Sequence, residues 1–122
     1  MGSAFTPELA VDVLREVVVS LVRKDGPALS SHQFGVYLTC YLKDGDHTVR
    51  GLAKELGVSK SVITRALDKL GELELAQRRT DPADRRSVIV VRTPAGRAML
   101  NELHGIAAAS ARSAQASSLA AE

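Results

Sequence analysis

What the chain does not contain narrows its chemistry first. A single cysteine, Cys40, leaves no partner for an intrachain disulfide and agrees with a reducing compartment. No apolar run approaches the roughly 18 residues that a bilayer span needs. The stretch MGSAFTPELA has neither the basic region nor the continuous apolar segment of a secretory signal, so the protein is expected to stay in the cytoplasm, away from membranes. His32, His47 and His104 share no metal-ligand spacing, and only Cys40 could join them. Asp44-Gly45-Asp46-His47 therefore reads as a solvated turn rather than a metal site. There is no glycine loop to cradle a phosphate and no nucleophile elbow, so no catalytic residue, metal or cofactor is expected.

What is present is ordinary in amount and uneven in placement. Hydrophobic residues make up 45% and charged residues 25% of 122, the balance of a soluble globular chain large enough for one core. The net charge is only +2, yet Val58 to Arg97 holds nine Lys/Arg against five Asp/Glu, a local charge of +4, which leaves −2 for everything else. One basic stretch in a near-neutral chain is the footprint of a polyanion binder, although such runs are as often merely solvated.

Periodicity organises the chain into helices with one change of rhythm. Thr6 and Pro7 give a cap and first-turn proline to a helix reaching Lys24, whose stripe of Leu9, Val13, Val17 and Leu21 is flanked by further apolar residues. Val11 and Val19 lie on other faces, more than one covered side requires, and a partner subunit would account for the excess. Asp25-Gly26-Pro27 stops this helix. A second runs from Ser30 or Ser31 to about Lys43, with Phe34, Tyr37, Leu38, Tyr41 and Leu42 at helical spacing and Cys40 among them as a buried thiol. Thr48 caps VRGLAKEL, which Gly57 ends. Ser59 caps the next helix, in which Val62, Ile63, Ala66, Leu67 and Leu70 face the core while Lys60, Ser61, Thr64, Arg65 and Lys69 face away. These two short helices form a helix-turn-helix. Leu75–Arg79 and the β-branched Ser87–Arg92 then read as strands around TDPADRR, a charged hairpin tip. Thr93-Pro94 starts a last helix, expected to fray from Ala107, where little remains to bury.

The predicted architecture is mainly α with a small β-hairpin wing: a winged helix-turn-helix over residues 30–92, with flanking helices at 6–29 and 93–122, in a single domain. At this point TVRGLAKELGVSKSVITRALDKL followed by RRTDPADRRSVIVVRTPAGRAML resembles the multiple antibiotic resistance regulator (MarR) family of bacterial transcription factors. The likeness covers about residues 30–104. It is carried by the D-x-R wing tip, Asp84-Arg85-Arg86, a few residues before the T-P-x-G helix start, Thr93-Pro94-Ala95-Gly96. The resemblance implies a homodimer joined through its terminal helices, bound to pseudo-palindromic double-stranded DNA, and most often a repressor released by a small aromatic ligand or by thiol oxidation. It also implies a nucleoid-associated state when DNA is bound. Relatives usually carry glycine where Glu74 stands, and Gly71 three residues earlier points to a shifted helix end.

By position, the helix from Ser59 to Leu70 matches the recognition helix. Ser61 and Thr64 have the short polar groups, and Arg65 the guanidinium, that read base edges; an arginine can pair with guanine O6 and N7. Ser59, Lys60 and Lys69 suit phosphate contacts that set register. Asp84, Arg85 and Arg86 match the wing, in which the carboxylate holds an arginine for the minor groove. Arg92 and Arg97 read as solubilising charge or as partners for acidic residues. The competing reading is a winged helix that binds proteins, or an accessory regulator, with its basic wing incidental.

Overall fold

The computed structural model describes residues 5–25 and 28–121; the Gly26-Pro27 stop lies outside them. In chain order the elements are α1 (Pro7–Arg23), α2 (Ser31–Leu42), β1 (His47–Thr48), α3 (Val49–Leu56), α4 (Lys60–Glu72), β2 (Ala76–Thr80), β3 (Val88–Arg92) and α5 (Pro94–Ala121). They divide into two compact units, one of residues 29–100 and one of the described residues before 29 together with those from 101 onward.

In the central unit, each helix starts where a hydroxyl can satisfy a first-turn amide. Ser30 accepts from the Gln33 N–H while Gln33 Oε1 accepts from the Ser30 N–H, a full capping box. Thr48 accepts from Gly51 N at 2.9 Å, and Ser59 from Val62 N at 3.3 Å. Gly57, at φ 68°, ends α3 in the left-handed region, and the Val58 N–H returns to the Ala53 carbonyl. The core is Val36, Tyr37, Cys40, Tyr41, Leu52, Ile63, Ala66, Leu67 and Leu70, joined by Ala76, Ile89 and Val90 of the sheet. The stripe predicted for α4 is thus the one buried, except that Val62 stays half-exposed.

The wing strands pair antiparallel, Ala76 opposite Arg92 through Thr80 opposite Val88. The sheet has a third strand that periodicity did not reveal: His47 and Thr48 pair with Val90 and Ile89, giving the order β1-β3-β2. Two buried tyrosines tie α2 to the ends of the wing strands and to the start of α5. Tyr41 Oη donates to the Leu75 carbonyl at 2.7 Å and accepts from Thr93 N at 2.9 Å, while Tyr37 Oη donates to the Gly96 carbonyl at 2.7 Å. Thr93 Oγ1 accepts from Gly96 N at 3.0 Å, so the T-P-x-G motif is a helix cap. Its glycine is dictated by contact, because a Cβ at position 96 would run into the Tyr41 hydroxyl and the Leu75 carbonyl.

The chain between α4 and β2 corrects one expectation. Gly71 lies inside α4, which continues to Glu72, and Glu74 itself adopts the left-handed conformation at φ 60°. Leu75 N–H bonds to the Leu70 carbonyl at 2.9 Å and Glu74 N–H to the Gly71 carbonyl at 3.0 Å, the paired closure of a Schellman motif.

In the other unit, α1 starts as the sequence predicts, with Thr6 accepting from Leu9 N and Pro7 in the first turn. No residue of α1 is buried, and Val11, Leu14, Val18 and Val22 stand 45–78% exposed. Lys24 pairs with Glu102 of α5 at 2.8 Å. The backbone of α5 is helical to Ala121, past Ala107, where fraying is expected from the sequence.

Candidate nucleic-acid interface

Packing against α2, α3 and β2 fixes the rotation of α4 and therefore which side chains it presents. With Ile63, Ala66, Leu67 and Leu70 buried, Ser61 and Arg65 are exposed and Thr64 is half-exposed on the opposite side. The first turn is cross-linked by hydrogen bonds. Ser59 Oγ, already accepting from Val62 N, lies 3.0 Å from Ser61 Oγ, and Arg65 Nε donates to the Ser61 carbonyl at 3.4 Å. The Arg65 side chain therefore lies back along its helix toward the N-terminal turn, where Lys60 is also exposed. Lys69, at the other end, is half-exposed and 3.8 Å from Glu72.

The wing tip is ordered by its aspartates. Asp81 Oδ1 accepts from Ala83 N at 2.9 Å, and Asp84 Oδ1 from Arg86 N at 3.1 Å, with Asp84 Oδ2 receiving Ser87 Oγ at 3.3 Å. These are Asx-type turns, in which a short carboxylate replaces a backbone acceptor. Backbone bonds from Asp81 N to the Ser87 carbonyl and from Ser87 N to the Asp84 carbonyl close the loop. Arg86 projects from it with its side chain 93% exposed and its Nε 3.8 Å from Asp84 Oδ1. Asp84 thus grips the turn more tightly through the Arg86 backbone than through the guanidinium. Arg85 is exposed beside it.

Two arginines that sequence reasoning did not place have defined partners. Arg92 Nε donates to the Cys40 carbonyl at 2.8 Å and its Nη2 to the Lys43 carbonyl at 3.2 Å, with the guanidinium 5.8 Å from the Tyr41 ring centroid. It satisfies the carbonyl end of α2, so it is neither solubilising charge nor the partner of an acid. Arg78 of β2 pairs with Asp68 of α4. The first turn of α2 also comes beside α4: Ser30, His32, Gln33, Val62, Arg65 and Ala66 line a groove of about 290 Å³.

Cys40 is buried, as expected, and burial pushes its thiol up from 9.0 to about 11, the nearby Arg92 offsetting only part of this. Burial likewise raises the Tyr37 phenol well above its ordinary range, with Tyr41 adding to the effect. Among the described residues no three His, Cys, Asp or Glu side chains converge as metal ligands, and no helix is long and apolar enough to cross a membrane.

A three-helix core, a helix-turn-helix whose second helix presents its polar face, and an arginine-tipped hairpin beside it define a winged helix-turn-helix protein. Residues 29–88, 60 of the 122, match the MarR family model, and this segment is MarR-like. Over 78 residues it is 37% identical to the HTH-type transcriptional repressor NicR of Pseudomonas putida, an alignment covering 63% of this chain and 48% of that protein. The chain thus spans about half the length of this curated relative. Among solved structures, a transcriptional regulator from Thermotoga maritima superposes with a TM-score of 0.66 at 26% identity, covering 87% of this chain and 69% of the other. Bordetella bronchiseptica BpsR, whose DNA binding is regulated by 6-hydroxynicotinic acid, gives 0.59 at 25% identity, covering 87% and 80%.

Proposed function

We propose that this protein is a DNA-binding transcriptional regulator, acting as a homodimer and as a repressor on a pseudo-palindromic site. The observation that carries the reading is the polar face of α4: Ser61, Thr64 and Arg65 lie opposite the buried face of Ile63, Ala66, Leu67 and Leu70, so the helix cannot rotate them away from an approaching duplex. In this reading α4 enters the major groove, where Arg65 pairs with a guanine and Ser61 and Thr64 meet neighbouring base edges. Lys60, at the positive end of α4, and Lys69 contact phosphates. Ser59 contributes by capping the helix, and its hydroxyl remains able to donate to a phosphate oxygen. Asp84 shapes the wing so that Arg86, flanked by Arg85, reaches the minor groove.

The uncovered apolar residues of α1 support dimerisation, since Val11, Leu14, Val18 and Val22 would gain by leaving water against a second copy. Two copies related by a two-fold axis would place their recognition helices about 34–36 Å apart, in successive major grooves. Release by a small ligand follows if that ligand favours another spacing of the helices. 6-Hydroxynicotinic acid, the effector of the Bordetella relative, is the first compound to titrate against the protein–DNA complex.

The test is Arg65→Ala against a selected operator and single-base variants of it. The expected result is a loss of about 1–3 kcal/mol that is largest for the operator and vanishes when the base opposite Arg65 is changed. An equal loss on every sequence would remove Arg65 from readout. No loss for either Arg65→Ala or Arg86→Ala would favour a winged helix that binds proteins.

A further inference from the structure

Asp68 occupies an unexpected place on a helix that faces a polyanion. At about 100° per residue, Ser61, Thr64 and Arg65 span an arc of roughly 100°, and position 68, seven residues after Ser61, falls back inside it about 10 Å further along the axis. A carboxylate thus stands on the midline of the readout stripe, 53% exposed at its side chain. Alone it would repel phosphates. It is not alone, because Arg78 of β2 reaches across and its Nη2 donates to Asp68 Oδ1. The guanidinium of Arg78, itself 37% exposed, is thereby held on the α4 face that carries Ser61 and Arg65, although its own backbone belongs to the wing sheet.

We infer that Arg78 is a further DNA-contacting residue and that Asp68 is its positioning residue, the pair setting sequence discrimination rather than total affinity. This rests on the regulator reading above. A guanidinium offers five N–H donors in a planar fork, so one edge can stay on the carboxylate while another meets a phosphate oxygen at the rim of the major groove. Asp68 limits that contact to one geometry, reached only when α4 is seated and the wing strand lies alongside. It also opposes loose binding, because a carboxylate on the stripe penalises any duplex that is not docked in register. The charge of Arg78 thus serves the fitted complex and is largely cancelled in an unfitted one.

The experiment measures affinity for the selected operator and for a scrambled duplex across a salt series, using the full chain as wild type, Arg78→Ala, Arg78→Lys and Asp68→Asn. Thermal melts of all four proteins check that each is folded. Arg78→Ala should weaken the operator complex and flatten its salt dependence by about one phosphate contact. Arg78→Lys should restore the slope without restoring full discrimination, a point charge replacing a fork. Asp68→Asn should bind the scrambled duplex more tightly and the operator no better, so that the specificity ratio falls several-fold. A purely structural ion pair would weaken both duplexes alike. Equal changes on both duplexes for Asp68→Asn, or an unchanged salt slope for Arg78→Ala, would overturn the inference. A wild-type protein that prefers no sequence would instead overturn the regulator reading itself.

Discussion

Replacing Glu74 by glycine should make this protein more stable, although it deletes a side chain and frees the unfolded backbone. Glu74 holds φ 60° in the Schellman closure that turns the chain from α4 into β2. For an L-residue the left-handed conformation costs about 1–2 kcal/mol, through the clash of Cβ with the following carbonyl. Glycine removes that cost but returns about 0.5–1 kcal/mol as extra entropy of the unfolded chain. Nothing else is lost, because the residue's specific bonds are made by its backbone. Its N–H reaches the Gly71 carbonyl at 3.0 Å, and its carbonyl accepts from Thr93 Oγ1 at 2.6 Å. The net gain is about 0–1.5 kcal/mol. Three residues earlier the logic reverses: Gly71 is helical, and a Cβ there would meet the Ala76 carbonyl oxygen at an ordinary 3.8 Å. Gly71→Ala should therefore add a similar gain of roughly 0.5–1 kcal/mol from helix propensity. Thermal melts followed by circular dichroism would read each change as a rise of a few degrees, since a domain of this size shifts by roughly 4 °C per kcal/mol. The control is Glu74→Ala, which keeps the Cβ and should stay within a few tenths of a kcal/mol. A destabilised Glu74→Gly protein, or a gain of the same size from Glu74→Ala, would refute the strain argument.

Further predictions follow from other contacts. Gly96→Ala forces a Cβ into the Tyr41 hydroxyl and the Leu75 carbonyl, so in chemical denaturation it should lower the midpoint far more than Gly105→Ala, whose Cβ meets nothing within 4 Å. Cys40 should resist a thiol reagent at neutral pH until denaturant is added. Because its folded thiol titrates near 11, above the ordinary 9.0, the unfolded chain loses this proton first; stability should fall as pH rises from about 9 to about 11, a component absent from Cys40→Ala. Leu14→Glu combined with Val18→Glu places charge on the uncovered face of α1, and sedimentation should then report a monomer where the unaltered chain reports a dimer. Identical sedimentation of the two proteins would move the interface elsewhere.

Most of the fold was legible because its signals are local. Capping hydroxyls at Thr6, Ser30, Thr48, Ser59 and Thr93 mark five helix starts, and apolar residues at helical spacing already separate the buried from the polar face of α4. What escaped was decided by partners distant in sequence. A two-residue strand at His47–Thr48 carries no periodicity of its own and exists only because β3 pairs with it. Arg92 looks like surface charge until the free carbonyls of Cys40 and Lys43 come within its reach. Asp68 and Arg78 are ten residues apart on different elements, and no spacing rule joins a helix acid to a strand base. The left-handed Glu74 is hidden for another reason: glutamate is a good helix former, and only closure of the turn against Thr93 overrides that preference.

The exposed face of α4 and the arginines of the wing are proposed to read a DNA sequence. Selection from genomic fragments with the purified full chain at near-physiological salt, followed by footprinting of the enriched duplexes, tests it most directly. The expected result is a pseudo-palindrome whose half-sites lie one helical turn apart, with protection extending into the flanking minor grooves and enrichment lost in Arg65→Ala. Enrichment no greater than for random fragments would contradict it.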